Sequence, residues 1–497
     1  MSNKIGSNKI SKALQWSTIS EITSRLIAPI TNIVLARLLT PDAFGLVATV
    51  TMVVTFAEVF TDAGFQKYIV QHEFEDDVDL DISTNVAFWT NLFFSLFIYT
   101  VIAVFANPIS TLVGSEGEGK SIIVACMAIP IVAFSSIQMA RFRRSFDFRS
   151  LFFARLVTSV TPILVTIPLA IALKNHWALI IGTLVSELVN AIVLSAMSQW
   201  KPTFTYSLEK LREMLSFSLW SMFEQISIWL TGNLDIFIVG KMLNDYYLGL
   251  YKTSMTVVNG YMRIITAATT PVLFSALSRC QSNDTEFRMT FFKFQRLVSV
   301  LIMPMGIGLF LYRDLVTYIL LGSQWTEASG FIGLWALTSS ITIIFGHYNS
   351  EAYRSKGKPK LSLLAQIIHL VFLIAVLLVV APLGFKILYI GRSLARIQLI
   401  MTGLVIMWVI FRISTWSIIK NVYPAVVSAL LMGVLSYGLQ MISFNTIWRI
   451  ITIFICATFY IVILMCFRSI RTEILALPII KKVVAFVSGK KKSQTLS

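Results

Sequence analysis

The residues of this chain that could do chemistry are charges set inside long apolar stretches. Glu21 and Arg25 lie four apart near the start, and Glu58 and Asp62 lie four apart in the next stretch. Glu224, Arg263 and the pair Arg392 and Arg396 follow further on. Residues four apart on a helix share a face. A charge at the centre of a bilayer costs about 2.5–3.5 kcal/mol on insertion scales, so it must face a cavity or a partner. Arginines placed this way can line a water-filled cleft and receive an anionic group. A diphosphate suits them well, because the planar guanidinium donates two parallel hydrogen bonds. Glu224, a lone carboxylate, is a candidate for exchanging protons with such a cleft. Glu21, Glu58 and Asp62 are candidates for coupling or gating. The competing reading makes Glu21 and Arg25 a buried pair that locks packing, and Arg155 and Glu187 structural. His347 and His369 lie in apolar stretches and read as packed, hydrogen-bonded imidazoles.

The elements that must position these charges are membrane helices. Of 497 residues, 56% are hydrophobic and only 13% charged, far too little polar surface for a soluble chain of this length. A span needs about 20 apolar residues. Such stretches fall at about 14–39, 42–64, 83–106, 121–140, 151–173, 177–199, 213–240, 246–277, 293–321, 328–352, 361–381, 384–411, 422–441 and 447–467, an all-α polytopic protein of about 14 transmembrane helices. Arg25 then stands about eleven residues into its span, roughly 16 Å deep at the helical rise. The polar opening MSNKIGSNKISK does not read as a signal peptide. The four cysteines and four histidines show no metal-ligand spacing, so neither a metal nor another cofactor is expected.

Orientation follows from the basic residues. With the N-terminus inside, 28 of the 41 lysines and arginines fall in inward segments, and four (Lys120, Lys174, Lys386 and Arg449) fall in outward ones. This asymmetry places both termini in the cytoplasm. It also accounts for the net charge of +16 through anionic lipid headgroups, without any nucleic acid. One inward segment departs from the pattern: Glu73 to Asp81 carries six carboxylates.

Shifting the sequence by 204 residues aligns Trp16–Val54 with Trp220–Val258 without gaps. Ten of the 39 positions are identical, among them Gly45/Gly249, Leu46/Leu250 and Thr49/Thr253, and Arg37 falls on Lys241. The repeat starts helix 1 and helix 7, which six intervening spans leave in the same orientation. Two parallel six-helix bundles related by an axis along the membrane normal are a transporter architecture. The expected organisation is a bundle over 1–200, a second over 201–412, helices 13 and 14 over 413–469, and a basic cytoplasmic tail over 470–497.

VLARLLTPDAFGLVA at 34–48 and DAGFQKYIVQ at 62–71 resemble the opening of Wzx-type polysaccharide flippases, in the multidrug/oligosaccharidyl-lipid/polysaccharide exporter superfamily. The similarity runs on through FRRSFDFR at 142–149, LGLYKTS at 248–254, TPVLFSALSRCQ at 270–281 and LGSQWTEA at 321–328, and is nearest the colanic-acid and succinoglycan exporter branch. The resemblance implies a V-shaped pair of bundles opening alternately inward and outward. It implies an undecaprenyl-diphosphate-linked oligosaccharide as substrate in a bacterial inner membrane. Polysaccharide polymerase and glycosyltransferases are the implied partners. Related lipid II flippases carry cavity arginines on helices 1 and 8, where Arg25 and Arg263 stand. Their helix 2 arginine is absent, and Glu58 and Asp62 stand there instead.

Two other classes fit less well. A membrane glycosyltransferase or ligase needs a sizeable outward loop with a convergent catalytic site, and the longest one, Asn107–Lys120, holds only Glu116 and Glu118. A multidrug exporter of the same superfamily shares the architecture, but its cationic substrates call for an acidic midplane rather than one mixed with arginines.

Overall fold

The computed structural model describes Trp16 and residues 27–62 and 64–476, and every regular element among them is helical. A bilayer offers the backbone no water, so a spanning segment must satisfy its hydrogen bonds internally, which a continuous helix does. In chain order the long helices are α1 (Ile27–Leu38), α2 (Pro41–Asp62), α3 (Asp77–Val104), α4 (Gly119–Arg144), α5 (Phe148–Leu173), α6 (Trp177–Met197) and α7 (Leu208–Met242). They continue as α8 (Asp245–Arg279), α9 (Asp284–Leu311), α10 (Ser323–Ser355), α11 (Pro359–Leu383), α12 (Phe385–Val409), α13 (Thr415–Ile442) and α14 (Thr446–Cys466).

Among the described residues, 11 helices are long and apolar enough to cross a membrane. They coincide with eleven of the fourteen expected spans. The other three are α1, whose first part lies outside the described residues, and α7 and α8. Those two are each 35 residues long, but their polar and charged residues keep them out of the apolar class. Of these exceptions, α7 carries Glu224 and α8 carries Arg263, while Glu21 and Arg25 lie outside the described residues.

Helix ends follow local chemistry. Asp76, Asp147, Ser207 and Asn283 each accept a hydrogen bond from a backbone N–H of the first turn that they precede. In α5 the helix widens to a π-turn over Pro162–Thr166, and in α10 over Ile343–His347. Proline lacks the N–H that an α-turn needs, which accounts for the first of these. The acidic segment Glu73–Asp81 is also explained: Asp81 pairs with Arg141 of α4, and Asp79 with Lys210 of α7 at 2.7 Å. Basic neighbours on the same face thus use these carboxylates.

The chain groups into two compact units. One holds residues up to Val257 with Thr317–Ala328 and Leu373–Gly391. The other holds Val258–Val316, Ser329–Phe372 and residues from Arg392 onward. In the second unit α9 packs on α13 and α10, and α13 on α14. In the first, α4 and α5 both pack on α6, and α2 packs on α7.

The sequence repeat appears in the first unit as a reciprocal contact. A Cβ built on Gly45 would lie 1.7 Å from the carbonyl oxygen of Asp245, and one built on Gly249 would lie 1.9 Å from that of Pro41. Pro41 and Asp245 are repeat partners, as are Gly45 and Gly249. Each half therefore offers the other the same pair of groups, the relation a two-fold axis generates. Only glycine permits backbones this close, so the matched glycines are a packing requirement. Burial follows the same symmetry: Leu46 and Leu250, Thr49 and Thr253, and Val54 and Val258 are all buried.

Candidate functional site

The second unit holds the best-defined cluster of the expected cations. Arg392 and Arg396 of α12 stand against the indole of Trp335 in α10, their guanidinium carbons 4.8 and 3.5 Å from the ring centroid. Four-residue spacing brings both to one face, and a flat aromatic surface accepts two flat cations. Arg396 also donates to Ser339 Oγ. Trp335 is fully buried, and its Nε1 donates to Asn259 Oδ1 of α8 at 3.2 Å. A cation over a ring face gains about 2 kcal/mol when desolvated, without losing its charge to a carboxylate. The ring contact thus positions two cations side by side within a long apolar helix, an arrangement suited to receiving an anion.

Arg263 lies one turn beyond Asn259 on the same face of α8, and its side chain is exposed. An exposed arginine midway along a helix of this length sits either toward water or toward an anionic partner. His369 of α11 pairs through Nδ1 with Gln398 Oε1 at 3.1 Å. His347 Nε2 pairs with Thr270 Oγ1 at 3.1 Å. Both histidines are hydrogen-bonded as the sequence leads one to expect.

In the first unit, Glu21 and Arg25 lie outside the described residues, as do the side chains of Asp62 and Glu224. Glu58 is half-buried on α2. A cavity of about 350 Å³ opens between α4, α5 and α6, lined by Arg143, Arg155, Thr158, Ser159, Glu187 and Asn190 together with apolar groups. Arg155 and Glu187, which read as structural in the sequence, thus share a polar cavity.

Three residues of the region escape a sequence reading. Asp235 of α7 is buried, and its Oδ2 accepts from Tyr251 of α8 at 2.8 Å. A carboxylate within a span, sixteen residues before a tyrosine in the next one, is the signal that could have found it. Trp335 and Asn259 gave no such signal, because a tryptophan or asparagine among apolar residues has many uses. Only the fold reveals that two arginines and a half-buried amide meet at the Trp335 ring. Among the described residues no group of three or more histidine, cysteine or acidic side chains could hold a metal ion.

Comparison with known proteins bears on the family and the fold. Residues 34–330 match the model of a family described as polysaccharide biosynthesis protein. The succinoglycan biosynthesis transport protein ExoT of Rhizobium meliloti is 25% identical over 343 residues, covering 69% of this chain and 68% of that one. An uncharacterized membrane protein in the cps region of Klebsiella pneumoniae is 24% identical over 372 residues, covering 74% and 76%. Among solved structures, the lipid II flippase MurJ in an inward closed conformation superposes with a TM-score of 0.73 at 14% identity, covering 91% of this chain and 98% of that one. An inward-facing multidrug resistance transporter of the MATE family superposes with a TM-score of 0.58 at 15% identity, covering 82% and 98%. The motifs, the helices and the family match converge, and the chain belongs to the polysaccharide biosynthesis protein family, as a polytopic membrane protein with the fold seen in MurJ.

Proposed function

We propose that this protein translocates an undecaprenyl-diphosphate-linked oligosaccharide across the bacterial cytoplasmic membrane by alternating access, for polysaccharide biosynthesis, with both termini in the cytoplasm. The observation that carries the reading is the pair Arg392 and Arg396, held charged against Trp335 within a membrane helix, with Arg263 exposed one turn from Asn259. A diphosphate carries its charge on oxygens that match guanidinium forks. Two relatives with transport or biosynthesis names for surface polysaccharides support the substrate class.

In this account Arg25 and Arg263 bind the diphosphate from two six-helix bundles, over 1–200 and 201–412, and Arg392 and Arg396 extend the positive wall. Glu224 exchanges protons, and Glu21, Glu58 and Asp62 serve coupling or gating. The cavity between α4, α5 and α6 has the volume for a sugar ring, with amide, hydroxyl and carboxylate groups suited to sugar hydroxyls. Glycosyltransferases supply the substrate on the inner leaflet and a polymerase consumes it on the outer one.

Deleting the gene should abolish one surface polysaccharide and leave its lipid-linked repeat unit on the inner leaflet. A deletion strain with normal polysaccharide but raised sensitivity to cationic dyes would instead make the protein a multidrug exporter.

A further inference from the structure

Arg37 and Lys241 are repeat partners at the outward ends of α1 and α7, and each reaches a backbone carbonyl. Arg37 Nη2 donates to the carbonyl of Ile319, and Lys241 Nζ donates to that of Thr111 at 3.0 Å. Thr111 lies in the short helix Ala106–Val113 and Ile319 in the short helix Arg313–Leu320. Gly114 and Gly322, which follow these helices, have φ of +89° and +99°. Thr111 and Ile319 are separated by the same 208 residues as the two glycines, so they occupy equivalent places in the two halves. The contact is therefore made twice with the roles exchanged. A first-repeat cation holds a second-repeat segment, and a second-repeat cation holds a first-repeat segment.

The chemistry of the acceptors explains why cations serve. The last carbonyls of a helix have no partner within it and carry its partial negative charge. Both short helices present a last-turn carbonyl to a cation, that of Thr111 also accepting from the N–H of Gly114 at 3.4 Å. At Gly114 a Cβ would lie 2.1 Å from the carbonyl oxygen of Gly240, so glycine is needed to bring that helix end onto α7 beside Lys241. Each contact has a reinforcement of its own. Gln324 Nε2 donates to the carbonyls of Ala36 and Leu39 at 2.7 and 2.8 Å, and buried Trp325 donates to Ala36 at 2.7 Å. On the other side Ser115 Oγ donates to Asp245 Oδ1 at 2.8 Å. All of this surrounds the crossing of Gly45 on Gly249, where backbones touch and no ligand can pass.

We propose that Arg37 and Lys241 are paired latches that hold the outward end shut, and that both must exchange their carbonyls for water when that end opens. Both side chains are exposed, so each bond is weak enough to be made and broken in every cycle. The assignment to the outward side rests on the proposed orientation and on alternating access.

The test uses the full chain with its four cysteines replaced by alanine and a reporter, Thr49→Cys. Thr49 is buried one turn inward of Gly45 and becomes reachable only when the crossing parts. A membrane-impermeant maleimide is added outside intact cells, so no substrate is needed. Losing one hydrogen bond should raise the labelling rate roughly fivefold in Arg37→Ala or Lys241→Ala, and further in the double variant. Arg37→Lys keeps a donor and should label near the parent rate, which separates loss of the latch from loss of folding. An unchanged rate in the double variant, at parent protein levels, overturns the proposal. The same acceleration seen only in inside-out vesicles supports the latches and overturns the orientation instead.

Discussion

Trp335 holds the guanidinium groups of Arg392 and Arg396 against its ring face, so their position depends on the ring. Trp335→Phe should retain part of the export and Trp335→Leu should lower it about tenfold at normal protein levels, the size expected for a cation–π contact. Equal export in both would separate the arginines from the ring. Arg263→Ala should abolish export and Arg263→Lys restore it only in part, since lysine has no fork. Arg25 needs a finer design, because removing it exposes Glu21. The paired change Glu21→Gln with Arg25→Gln should still fail to export, and recovery would reduce Arg25 to a counter-charge. Glu224→Gln should fold but lose its dependence on the proton gradient, as measured by export at varied external pH. Outside the spans, His176 is bracketed by Ser121 at 3.1 Å and Glu118 at 3.6 Å. Burial pushes its pKa below the usual histidine value, outweighing the opposing pull of Glu118. An unfolded chain then takes up the proton first as pH falls. Stability is therefore full above about pH 6.5 and declines from there toward the lower folded value. The melting temperature should drop between pH 7 and 5, and less so in His176→Gln.

The helices show how far sequence carries and where it stops. Eleven apolar stretches became helices because hydrocarbon leaves the backbone no other choice, and length with hydropathy is enough to see that. α7 and α8 were legible only as weaker stretches, because their polar and charged residues lower their hydropathy. Trp335 was not legible, because its role depends on α12, and pairings between helices leave no trace in local pattern; Asp235 left only its charge as a signal, and its partner Tyr251 came from the fold. The repeat was legible as identities, but its meaning came from Gly45 and Gly249 touching. Adding a methyl at either glycine forces the backbones apart. Gly45→Ala and Gly249→Ala should each destabilise by about 1–3 kcal/mol, the usual cost of overpacking, read as a lower melting temperature in detergent. A serine or alanine tolerated at both positions would mean the crossing is loose.

For the whole molecule, orientation is the expectation most exposed to test. Cysteines at Gly117 and Ser443 should react with an impermeant reagent from outside, and cysteines at Ser145 and Ser355 should not. Reaction at Ser355 from outside would overturn the order of α8 to α11 in the membrane. The central claim is that a lipid-linked diphosphate crosses through a path lined by arginines. Purified protein in vesicles, loaded on one leaflet with an undecaprenyl-diphosphate-linked oligosaccharide bearing a radiolabelled sugar, measures this directly. Exposure of the label to a soluble glycosidase outside reports translocation. The wild-type protein should speed exposure well above protein-free vesicles, and the combined Arg263→Ala and Arg396→Ala variant should not. An undecaprenyl-linked sugar without the diphosphate should stay in place. Equal movement of both lipids, or wild-type rates from the arginine variant, would contradict the account.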